Sequence, residues 1–128
     1  MASTATVTVA ASGGTYVEYK IAVACDATPS AVPDSLLSAN GAASGDVCAV
    51  GIKCPASGYP STVTMTIKDR NGLPIFTGSF TGSANLVTRL ALTDGNNDGR
   101  SSFIGQLTVS FSGNTTASAT WNTYVMVY

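Results

Sequence analysis

The stretch STVTMTIKD, Ser61 to Asp69, constrains the fold of this chain more than any other. Val63, Met65 and Ile67 alternate with Thr62, Thr64 and Thr66, so a period of two separates an apolar face from a hydroxyl-bearing one. Only an extended strand sorts side chains in that way, and a half-buried antiparallel strand is the element it predicts. The same device returns in GQLTVSFSGN, with Leu107, Val109 and Phe111 on one side and Thr108, Ser110 and Ser112 on the other. TATVTVA and TYVEYKIAVAC supply two more strands. The second sets Val17, Tyr19, Ile21 and Val23 against Glu18 and Lys20.

Turn residues punctuate these runs. In DRNGLPIFTG, Asn71-Gly72 is expected to give the positive φ angles of a two-residue hairpin turn, with Pro74 at a strand start or edge. NLVTRLAL adds a strand with Leu86, Leu90 and Leu92 on one face and Arg89 on the other. The one helical signal is VPDSLLSANG, where Pro33 would open a short turn of helix and Asn40-Gly41 would close it. Asp26 to Asp46 reads as a long loop, rich in Ala, Ser, Pro and Gly, of the kind that more often carries a contact than none. A chain of 128 residues suits a single β domain, 1–128, with residues 1–12 as an extended N-terminal arm. The expected fold is all-β: a β-sandwich or jelly-roll-like barrel of about seven or eight mostly antiparallel strands with one long loop.

The chemistry is sparse. Histidine is absent, which removes the commonest general base, nucleophile partner and metal ligand. Glu18 is the single glutamate, and among the aspartates only Asp94 and Asp98 lie close in sequence, so a two-carboxylate hydrolase has little to build on. The expectation is a protein that is not an enzyme. Six basic residues against seven acidic, with no basic run, lack the cation density of a nucleic-acid surface. No apolar run is long enough for a membrane helix, and the N-terminus carries no export signal, so the chain is expected to stay in the compartment of synthesis. Cys25, Cys48 and Cys54 are an odd number. Buried free thiols are the simplest reading, and a Cys48–Cys54 or Cys25–Cys48 bridge stands open beside it. Asn114-Thr115-Thr116 fits either a glycosylation acceptor or a turn, and without an export signal the turn is preferred.

LTDGNNDG, Leu92 to Gly99, is the nearest thing to a metal site. Asp94, Asn96 and Asp98, followed by Gly99 and Arg100, match the first positions of a calcium loop, but the twelfth position is Gly105 where a bidentate Glu is required. Its flanks read as strands where such a loop has helices. A wide polar turn is therefore preferred, with calcium at Asp94, Asn96 and Asp98 as the alternative and no other cofactor expected.

ASATWNTYVMVY closes the chain. Trp121, Val125 and Val127 fall on one face and Tyr124, Met126 and Tyr128 on the other, so this strand is apolar on both sides and wants covering on both. Tyr124, Met126 and Tyr128 are the candidate oligomer or capsid interface.

Three stretches taken together, MTIKDRNGLPIFTGSF, NLVTRLALTDGNNDG and GQLTVSFSGNTTASATWNTYVMVY, resemble small all-β virion proteins of tailed bacteriophages of the capsid decoration, or cement, type. The resemblance runs from Thr62 to Tyr128. It implies a non-enzymatic protein that decorates and stabilises the outer shell, located in the virion and assembled in the host cytoplasm. Its partners would be the major capsid protein and copies of itself, a trimer favoured. A carbohydrate- or receptor-binding β-sandwich, assisted by calcium, is the competing class.

Overall fold

In the computed structural model the protein is described at residues 3–13, 16–28, 31–37, 44–90 and 101–128. Ten strands run through these segments: β1 (Thr4–Gly13), β2 (Tyr16–Ala24), β3 (Ser35–Leu37), β4 (Ser44–Lys53), β5 (Thr62–Lys68), β6 (Pro74–Thr81), β7 (Val87–Leu90), β8 (Ser101–Ile104), β9 (Leu107–Ser112) and β10 (Thr120–Val127). They form two sheets with only antiparallel pairings. The larger has the order β1-β2-β10-β4-β7, with β8 also alongside β4, and the smaller has the order β3-β9-β5-β6.

The path between sheets is that of a jelly roll. The chain passes from β2 in the large sheet to β3 in the small one, back to β4, and over again to β5. After the β5–β6 hairpin it returns to β7 and β8, then crosses to β9 and back to β10. Early and late strands thus lie side by side, β2 beside β10 and β3 beside β9, as a doubly wound antiparallel sandwich requires.

The alternation read from the sequence decides what lies between the sheets. Val63, Met65 and Ile67 of β5 and Leu107, Val109 and Phe111 of β9 all point inward, facing Tyr19, Ile21 and Val23 of β2 and Trp121, Val125 and Val127 of β10. Trp121 meets Phe111 and Phe80 edge-on, with centroids 5.7 and 6.1 Å apart. That geometry places the positive ring edge on the negative face and adds to the burial itself.

Several details differ from expectation. Ser35–Leu37 is a strand paired with β9, not a turn of helix. Ser35 and Leu37 are buried and Leu36 is exposed, a period of two that the sandwich edge imposes over a weak local helix signal. This strand, and the start of β4 at Ser44, also interrupt the span expected as one long loop. The β5–β6 connection is a three-residue loop rather than a two-residue turn: Asp69 N–H donates to the Leu73 carbonyl, and Gly72 N–H to the Asp69 carbonyl. The Asp69 carboxylate accepts from the amides of Asn71 and Leu73 at 2.9 and 3.0 Å, and only Gly72 takes a positive φ, 80°. Residues 4–13, most of the expected arm, pair with β2 along their length.

All three cysteines are free, Cys25 and Cys54 buried and Cys48 half-buried, so neither bridge forms. Burial pushes the Cys25 and Cys54 thiols up. Asn114 is the hub of a turn. Its Oδ1 accepts from Ser61 N and Oγ and from Thr116 N, and its Nδ2 donates to the Thr116 carbonyl and to Cys25 Sγ. A glycan on Nδ2 would replace one of those two N–H donors.

Candidate functional site: the outer face of the large sheet

β10 is the middle strand of the large sheet, so its outward side chains occupy the centre of that sheet's solvent-facing surface. Its inward residues Trp121, Thr123, Val125 and Val127 are buried, and alternation sends Asn122, Tyr124 and Met126 outward, followed by Tyr128. Tyr124 and Met126 are half-buried, and Tyr128 is 55% exposed. The interface residues read from the sequence therefore do share one face.

Register fixes their neighbours. One row across the strands joins Ala22 of β2, Asn122 of β10 and Lys53 of β4. The next joins Thr8, Lys20, Tyr124, Gly51 and Arg89. A third joins Glu18, Met126 and Ala49. In a fourth, Tyr128 and Asp46 exchange backbone hydrogen bonds at 2.8 and 3.2 Å, with Tyr16 on the same face of β2. The small side chains at 22, 49 and 51 leave Tyr124 and Met126 standing as a ridge. A shallow hollow of about 60 Å³ lies between this ridge, Glu18 and Arg89.

Charge is ordered along this face. Three of the six basic residues of the chain, Lys20, Lys53 and Arg89, lie in the first two rows, and the acidic Glu18 and Asp46 lie in the last two. Glu18, Lys20, Lys53 and Arg89 form no ion pair among the described residues. The apolar centre of Tyr124 and Met126 is thus framed by basic side chains at one end and acidic ones at the other.

A second feature is a cavity of about 290 Å³ at one end of the sandwich, between the sheets. Trp121, Phe111, Val63 and Val32 wall it, with Asn114 at its rim. Trp121 Nε1 is buried and has no hydrogen-bond partner among the described residues.

The metal candidates Asp94, Asn96 and Asp98 lie outside the described residues. Gly105, the would-be twelfth ligand position, has φ 89°, and a Cβ there would come within 2.6 Å of the Arg70 side chain. That backbone conformation suits glycine and disfavours any carboxylate-bearing residue. No cluster of three or more metal-ligating side chains occurs among the described residues. Sequence alternation in TYVEYKIAV puts Glu18 and Lys20 on one face, and only the register brings Asp46 and Lys53 beside them.

No family model and no curated protein matches the chain. Among solved structures it is similar to an arabinose-bound GH51 α-L-arabinofuranosidase, at 12% identity and a TM-score of 0.47 over 98% of this chain. The chain spans only 22% of that enzyme's length. It is also similar to a cupin domain from Bordetella pertussis Tohama I, at 8% identity and a TM-score of 0.39, covering 100% of this chain and 97% of that one. Neither likeness bears on activity.

Proposed function

We propose that this chain is a non-enzymatic structural protein of a phage virion, which decorates and stabilises the outer capsid shell through contacts with the major capsid protein and with its own copies. The observation that carries the reading is the outward face of β10, where Tyr124 and Met126 form an apolar ridge at the centre of a sheet. Tyr124 and Met126 are half-buried already, and a protein surface that covers their remaining apolar area gains about 25 cal/mol for each Å² removed from water. The resemblance of Thr62 to Tyr128 to decoration proteins supplies the shell as the setting, and the absence of His is consistent with a protein that performs no acid–base chemistry. β1 is an edge strand of the large sheet, ten residues long, and strand addition at such an edge is one way to hold a capsid sheet.

Co-sedimentation with empty phage shells tests the reading. The wild-type protein pellets with shells and raises their resistance to heat, whereas Tyr124→Ser and Met126→Asp remain folded, lose self-association and no longer coat. Normal coating by both variants would sink it.

The end cavity favours a second reading, a sugar- or receptor-binding sandwich, because an indole wall and an unpartnered buried N–H suit a small polar-apolar ligand. Trp121 is the sole tryptophan, so its fluorescence reports that site directly. Titration with arabinose and other monosaccharides, with and without calcium, supports this reading if emission shifts, and removes it if emission stays constant.

A further inference from the structure

We infer that the outer face of the large sheet binds a second copy of this chain about a two-fold axis that runs across the strands, between the Tyr124 row and the Met126 row. This inference rests on the reading of that face as a protein-contact surface and names its occupant.

The order of charge along the face carries the argument. Such an axis reverses the four rows and leaves each strand over its own counterpart. Lys20 on β2 then meets Glu18 on β2 of the second copy, and Lys53 on β4 meets Asp46 on β4. Tyr124 meets Met126, Gly51 meets Ala49, and the large Tyr16 comes over the small Ala22. Each pairing occurs twice, so four opposite-charge contacts frame an apolar centre. An axis along β10 gives a different result. It sets Lys20 over Gly51 and Glu18 over Ala49, which leaves each of those charges without an opposite. Of these two axes only the one across the strands makes the face self-complementary, which is the property an isologous interface needs.

The geometry also argues against burying this face in a cyclic trimer. A surface packs flat against its own copy only through a two-fold, while a three-fold joins two different patches. Four rows spaced about 6.8 Å apart on four strands about 4.8 Å apart cover about 500 Å² on each copy. The pair then buries about 1,000 Å², the lower bound for specific association, so the dimer is expected to be weak and to dissociate in the micromolar range. Arg89 lines the same shallow hollow as Glu18, Tyr124 and Met126.

Sedimentation equilibrium at low salt, at protein concentrations up to about 1 mM, is the test. The wild type is expected to be a dimer whose dissociation constant rises with salt, because the framing contacts are exposed ion pairs. Lys20→Glu or Glu18→Lys alone places like charges opposite each other twice and is expected to weaken the dimer by about tenfold or more. The combined Glu18→Lys and Lys20→Glu exchange restores the pairing and returns the constant to within about threefold of wild type. Asp46→Lys with Lys53→Asp repeats the experiment on β4. A monomer at the highest concentration, a trimer, or exchange variants as weak as the single ones would overturn the inference. Shell binding is scored separately: a dimer that fails to coat shells removes the decoration reading and leaves the two-fold, and a monomer that coats them does the reverse.

Discussion

The two solvent-facing surfaces of the sandwich are built on opposite principles. On the small sheet the outward Thr and Ser of β5 and β6 pair across the ladder, Thr62 with Thr81 at 2.9 Å and Thr64 with Ser79 at 3.0 Å, while Lys68 and the exposed Leu36 of β3 lie on the same side. At the centre of the large sheet the outward positions are Ala22, Ala49, Gly51, Tyr124 and Met126 with the charged Glu18, Lys20 and Lys53, and Thr4, Thr6 and Thr8 of β1 lie at its edge. A hydroxyl face is complete in water, since each group bonds either its neighbour or solvent. The centre of the other face carries apolar side chains whose exposed area water does not satisfy. The contrast matters because the composition, with 10% charged residues and net charge −1, offers little repulsion to keep the surface clean.

The strongest way to break the comparison is to act on both faces of β10. Trp121→Ala removes the indole that meets Phe80 and Phe111, opens a cavity, and is expected to cost about 3–5 kcal/mol in urea unfolding. Tyr124→Ser, three residues along the same strand, changes the stability of the isolated protomer by less than about 1 kcal/mol. Its effect appears in association instead. If Tyr124→Ser unfolds the protomer as severely as Trp121→Ala, the outward face is part of the core and the contrast fails.

The converse experiment moves the character of one face to the other. Thr64→Tyr with Thr66→Met plants an aromatic and a thioether on the small sheet's outer face, where both positions are half-buried on a strand that tolerates them. The variant is expected to stay folded and to associate more strongly than wild type, by a route that the Lys20→Glu substitution leaves untouched. Sedimentation of the three-residue variant checks this. Dissociation by Lys20→Glu would show that the added residues created no new contact.

How legible this was from sequence depends on regularity. β5, β9 and β10 stand out because their alternation is unbroken, and the inward sets Val63, Met65 and Ile67, then Leu107, Val109 and Phe111, are those found in the core. β4 is hidden for a physical reason. A bulge between Val47 and Ala49 takes up one extra residue, Cys48, so Val47 and Val50 both face inward although they are three apart. The period of two is lost where the strand needs it to be recognised. With β4 unseen, Asp46, Ala49, Gly51 and Lys53 had no place beside Tyr124, and the ordered charge of the face stayed out of view. β3 and β8 are three and four residues long, too short for any period to register. Tyr124, Met126 and Tyr128 stand out in the sequence because their own strand is apolar on both sides, whereas their neighbours follow only from register.

The buried thiols carry the distinction between inside and outside to a smaller effect, through pH. Burial raises the Cys25 and Cys54 thiols above their ordinary value, while an unfolded chain ionises its thiols near about pH 8.5. Below that value both states hold the proton and the thiols add no pH dependence. As pH rises past it, the unfolded chain loses protons first, so the folded state loses stability until its own thiols ionise. The melting temperature is therefore expected to be flat from pH 6 to about 8 and to fall above about 9. Cys54→Ala and Cys25→Ala each shallow that alkaline slope, since burial is the first cause of both shifts, offset in part by the Asn114 amide at Cys25 and by a backbone hydrogen bond from Ser83 at Cys54. Thiol-reactive reagents supply the kinetic counterpart: Cys25 and Cys54 react at the rate of unfolding and Cys48 faster, since it is the half-buried one of the three. An alkaline slope unchanged by either substitution would assign the pH dependence to Tyr19, whose phenol burial also raises.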